Sequence, residues 1–108
     1  MGMNAEVIGI GTFRRSIAPF LGYPEESYAN TREGVTIAEM VFFIETGSFE
    51  SRKLAACFHI DPWDFNQHEL DASIADLAGL RELFGEKMVC SFVALRDAGF
   101  RFFFLPNG

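Results

Sequence analysis

Residues 87–105 read K-M-V-C-S-F-V-A-L-R-D-A-G-F-R-F-F-F-L, the most apolar stretch of the chain. Two runs of strand-forming residues flank Arg96-Asp97-Ala98-Gly99, a polar connection that ends in Gly. This pattern predicts a β-hairpin over Met88 to Leu105 with a loop longer than two residues. In the first run Val89, Val93 and Leu95 alternate with Met88, Cys90, Phe92 and Ala94. Both faces are apolar, which predicts a central strand covered on both sides. In the second run Phe100, Phe102 and Phe104 line one face, and Arg101, Phe103 and Leu105 the other. The rest of the chain has to cover this hairpin.

The material for that cover is ample. The chain has 108 residues, 49% of them hydrophobic, with thirteen Phe, so one contiguous core can form and residues 1–108 read as a single globular domain. No Pro/Gly/Ser tract, charge block or repeat interrupts it. The apolar run Val7 to Phe13 is too short and too glycine-interrupted to span a bilayer, and no basic segment precedes it as a secretory signal requires. The expectation is a cytoplasmic protein with no membrane partner. Cys57 and Cys90 sit on apolar stretches without a close partner and read as two buried thiols. Fifteen acidic residues against nine basic give a net charge of −6, which argues against a nucleic-acid surface, because phosphate binding relies on clustered Lys and Arg. The excess is local: between His59 and Glu82 six acids meet only Arg81.

Outward from the hairpin, Ala5 to Phe13 alternates as a strand, in which Gly9 and Gly11 mark a bulge or a place where another backbone packs close. Arg14 to Gly34 is irregular, with a helical turn at Pro24 to Tyr28. Val35 to Glu45 is a second strand. Ser48 caps a helix over Phe49 to Phe58, Asp61-Pro62 starts a short one, and Asp71 caps the longest, Ala72 to Phe84, which Gly85 ends. Its Ile74, Leu77, Leu80 and Phe84 share one face, with Asp76, Gly79 and Glu82 on the other. Strands at both ends with helices grouped between them predict an α+β fold. The sheet should be mainly antiparallel with about four strands, carrying two or three helices on one face, and a parallel pair is possible where the chain crosses over.

The only cluster with ligand chemistry is H59-I-D61-P-W-D64-F-N-Q-H68-E69-L-D71. His59, Asp64 and His68 are weak metal candidates, because the spacing matches no standard zinc or manganese site and Asp61 and Asp71 serve better as caps. A small metal-dependent enzyme or ligand-binding domain built on residues 59–71 is the alternative reading, and a rise in Tm with Zn²⁺ or Mn²⁺ would support it. No nucleophile elbow, phosphate loop or zinc-protease motif occurs. The expectation is therefore no enzyme, no catalytic residue and no cofactor.

The acidity, the α+β order and above all S51-R-K-L-A-A-C-F-H-I-D-P-W-D-F-N66 resemble the small acidic immunity proteins of bacterial contact-dependent growth inhibition and related toxin systems. Such a resemblance implies a cognate toxin, no catalysis and cytoplasmic residence. The contact residues come from charge rather than from a family motif: Asp64, Glu69, Asp76 and Glu82 would steer a basic toxin domain, with Trp63 as the apolar anchor. Monomer and homodimer both remain open. The expected site for a homodimer is a sheet edge at Phe100 to Phe104.

Overall fold

The computed structural model describes residues 4–44, 48–61 and 66–107. Four strands, β1 (Asn4–Thr12), β2 (Thr36–Ile44), β3 (His68–Leu70) and β4 (Arg101–Asn107), form one sheet in the order β2-β1-β4-β3. Every pairing is antiparallel, so the crossover between β2 and β4 creates no parallel pair. Three helices, α1 (Ser48–Cys57), α2 (Leu77–Phe84) and α3 (Glu86–Asp97), complete the α+β fold. Short 3-10 segments at Arg15–Phe20, Glu25–Tyr28 and Ala72–Ile74 link the main elements.

The expected hairpin is half right. Residues 101–107 are a strand whose Phe102 and Phe104 are buried, with Phe100 buried just ahead of it and Arg101 exposed. Residues 86–97 are a helix, not its strand partner. Gly99, at φ 90°, ends this helix: its N–H donates to the Arg96 carbonyl at 3.0 Å, and the Phe100 N–H reaches the Leu95 carbonyl at 3.1 Å. That pair of bonds is the left-handed helix stop for which Gly is suited. An eight-residue apolar run fits a buried strand and a buried helix equally by alternation. The helical period decides it by placing Val89, Phe92 and Leu95 inward. One consequence is that Cys90 is exposed and only Cys57 is buried, against the expectation of two buried thiols. The fourth strand is instead the three residues His68–Leu70, paired to β4.

All three helices cover one face of the sheet. Phe92 of α3 sits at the centre, its ring 5.4 Å from Phe42 of β2, 4.7 Å from Phe102 of β4 and 5.8 Å from Phe58 after α1. Ala5, Val7, Leu54 and Leu80 join the same buried cluster. The two glycines of β1 make room for rings: a Cβ on Gly11 would stand 2.3 Å from the Phe100 ring, and one on Gly9 would stand 3.1 Å from Phe102.

The irregular segment after β1 is tied by Arg15, whose guanidinium donates to the carbonyls of Tyr28 and Thr31. The Tyr28 ring stacks on Phe13 at 5.6 Å. Arg15 therefore holds this segment together.

The helix expected over Ala72 to Phe84 is broken. Asp71 caps only the 3-10 turn, accepting from the Ser73 N–H at 3.0 Å, while Asp76 caps α2 by accepting from the Gly79 N–H at 3.1 Å. Ile74, expected on the buried face, is 51% exposed. Replacing Asp76 by Ala should cost about 0.5–2 kcal/mol in denaturant unfolding, while Asn should keep most of the stability, because its amide oxygen still accepts from the backbone. An Asn variant as unstable as Ala would mean that charge, not capping, is what Asp76 contributes. Helix α1 already includes Ser48, so the position that caps it lies outside the described residues, as does the short helix expected after Asp61.

Candidate functional site

Helices α1 and α2 diverge over a cleft of about 230 Å³ lined by Lys53, Ala56, Cys57, Asp76, Gly79, Glu82 and Leu83. The close approach that shapes its base is visible at Gly79, where a Cβ would fall 2.8 Å from Cys57 Sγ and 2.7 Å from Asp76 Oδ2. A backbone bond from the Asp76 N–H to the Cys57 carbonyl, at 2.8 Å, fixes the start of α2 against the end of α1. Asp76 and Glu82 thus line the same cleft, six positions apart in the chain.

Both carboxylates act on the same thiol. Burial pushes the Cys57 thiol up to about 11, and the nearby charges of Asp76 and then Glu82 push in the same direction. The thiol stays protonated at neutral pH, which suits a floor and not a nucleophile. Ala56, Cys57 and Leu83 give the cleft an apolar lining, and Asp76, Glu82 and Lys53 give it two negative charges and one positive. Such a lining suits the aliphatic stem and cationic head of a Lys or Arg side chain, which prefers an apolar track ending in carboxylates.

The other expected contact residues are distributed differently. Glu69 lies on the sheet face away from the helices, since its neighbour Leu70 is buried and Glu69 itself is exposed. Its Oε1 accepts from Arg101 Nε at 2.6 Å, and this bond holds the Glu69 carboxyl below the usual range. Glu69 therefore lies on a different surface from Asp76 and Glu82. Trp63 and Asp64 lie outside the described residues.

The metal candidates are also separated in role. His59 occupies a left-handed backbone position, φ 58°, at the end of α1, and its Nε2 lies 3.0 Å from the Ile74 carbonyl oxygen. An Nε2–H that donates there braces the turn after the helix, and the unprotonated nitrogen needed for metal binding is then only Nδ1. His68 lies half-buried on β3, opposite Phe104 of β4. Among the described residues, no group of three or more His, Cys, Asp or Glu side chains is placed to hold a metal ion.

The sequence reading put Asp76, Gly79 and Glu82 on one helix face but did not anticipate that Cys57 and Leu83 join them. Gly79 carried the one available signal: a glycine inside a helix costs about 1 kcal/mol relative to Ala, and it usually marks a close approach.

The fold and this cleft define a class, a small α+β domain with one face of its sheet covered by helices and an acid-rimmed groove between two of them. No protein-family model matches the chain, and no curated protein or solved structure matches it either. No helix among the described residues is long and apolar enough to cross a membrane.

Proposed function

We propose that this protein acts by binding another protein, as an immunity protein that neutralises a cognate toxin with a basic surface. The observation that carries the reading is the convergence of Asp76 and Glu82 on an apolar-floored cleft between α1 and α2. In this reading a Lys or Arg of the toxin enters the cleft. Trp63 and Asp64, close in sequence to the end of α1, supply further contacts. The excess negative charge raises the encounter rate, because complementary fields steer association more than they tighten it.

The test begins with the gene immediately upstream. Its C-terminal domain, expressed alone, should arrest growth, and co-expression of this chain should restore it. Asp76→Asn combined with Glu82→Lys keeps the cap of α2 while reversing the sign of the rim. That variant should slow association with the toxin domain by roughly tenfold or more at low salt, and its deficit should shrink as salt rises. No relief of toxicity, or unchanged kinetics at low salt, would overturn the reading.

A further inference from the structure

The sheet face away from the helices carries Ile8 and Ile10 of β1, Met40 and Phe43 of β2, and Phe103 and Leu105 of β4, as the cross-strand pairs Ile8 with Met40, Ile8 with Phe103 and Glu6 with both Phe43 and Leu105 require. Met40 is 57% and Phe43 42% exposed. An antiparallel sheet with one open face ordinarily turns polar residues outward, and this one turns a continuous apolar surface outward. We propose that this face docks a second copy of the chain, sheet against sheet, about a two-fold axis.

Charge selects the occupant. Among the described strand residues, the charged groups on this face are Glu6, Glu69 and Arg101, and the last two bond to each other at 2.6 Å. Together they sum to −1, against −6 for the chain. A basic partner has no reason to choose this surface. A second acidic copy does, because face-to-face packing at about 10 Å keeps the helical layers and their carboxylates on the far sides, beyond a Debye length of about 8 Å.

The area suits a weak, reversible pair. Strands of nine, nine, three and seven residues at about 3.3 Å per residue and about 4.8 Å apart give about 440 Å² per copy and about 900 Å² for the pair, the size of a transient interface.

The sheet edge, in contrast, is defended. β4 lies between β1 and β3, so the edge expected at Phe100 to Phe104 does not exist, and β2 is the long edge strand. β2 is broken by a bulge that leaves Val41 between the partners of Val7 and Ile8. It also points Glu39 inward, where the carboxylate accepts from the Tyr28 hydroxyl at 3.1 Å. A bulge and an inward charge are both devices that discourage edge pairing. The face is what remains for self-association, and aligned packing of two twisted sheets is a common way to use one.

This inference stands apart from the acidic cleft. Sedimentation and light scattering of the wild-type chain should give twice the 12.1 kDa of one copy. Met40→Glu combined with Phe43→Glu should lower this to one copy at the same concentration, with at least a 100-fold rise in the dimer Kd and a far-UV spectrum that shows the fold intact. Ala38→Lys, an exposed position on the same face, should act in the same direction and serves if the double variant fails to fold. Asp76→Asn with Glu82→Gln should remain dimeric whether or not a toxin is bound. A wild-type chain that is monomeric up to about 100 μM, where only an interaction weaker than roughly 5 kcal/mol would escape detection, overturns the proposal. So does a dimer that none of the face variants weakens.

Discussion

Phe92→Ala should cost about 3–5 kcal/mol in chemical denaturation, the largest loss expected for any single truncation in this chain. The ring is fully buried and lies within 6 Å of three other rings, Phe42, Phe58 and Phe102, which belong to two strands and the end of α1. Its removal takes away a large transfer term and leaves a cavity that three aromatic walls, each held by its own element, cannot close. Since a domain of this size is stable by only about 5–15 kcal/mol, the variant should unfold at a much lower denaturant concentration. Its m-value should be unchanged if the transition stays two-state. A loss under about 1 kcal/mol would show that α3 does not present Phe92 to the sheet.

Gly11→Ala is the second large effect, and it arises from the opposite fault. The new methyl would stand 2.3, 2.5 and 2.6 Å from three carbons of the Phe100 ring. That ring cannot easily retreat: Phe100 is buried, and its N–H is bonded to the Leu95 carbonyl at the end of α3. Overpacking of this kind costs about 1–3 kcal/mol. Gly9→Ala should cost less, since its nearest ring carbon is 3.1 Å away. Combining Gly11→Ala with Phe100→Leu should lose less than the sum of the two single changes, because the smaller side chain vacates the contested space. Strict additivity, measured by urea unfolding of the four proteins, would show that the two positions do not meet.

Both effects were only partly legible in the chain. The burial of Phe92 was expected, but on a strand. Either periodicity puts an apolar residue at position 92 against something, so burial survives an error in secondary structure. Gly99 does not distinguish the two, because a positive φ serves a helix stop as well as a turn between strands. Glu86 at the start and Arg96 in the last turn are arranged as a helix dipole favours, and that pattern was present in the sequence. The glycines of β1 were expected to mark a bulge or a closely packed backbone, and what packs against them is side chain instead. The identity of the atoms that approach, the rings of Phe100 and Phe102, depends on pairing across ninety residues.

At the site the same division holds. Asp76 is an acid on a helix by any reading, but its place as the cap of α2 depends on the chain breaking at Ala75. That break is set by the bond between its N–H and the Cys57 carbonyl of another helix.

The chain alone carries the properties that sum over residues or repeat locally: the α+β class, the strands β1, β2 and β4, the helix α1, the acidity and the shared face of Phe100, Phe102 and Phe104. Each of these rests on a period of two or 3.6 residues, or on a cap or turn residue within a few positions. Long-range packing was needed to make residues 86–97 helical, to draw the three residues His68–Leu70 in as the fourth strand, and to part Glu69 from Asp76 and Glu82. A three-residue strand has no period to read and exists because β4 offers it hydrogen bonds. Which carboxylates share a surface is likewise fixed by long-range packing, here by α2 resting on α1 through Gly79 and Cys57 while the sheet carries Glu69 to the opposite side, beside Arg101.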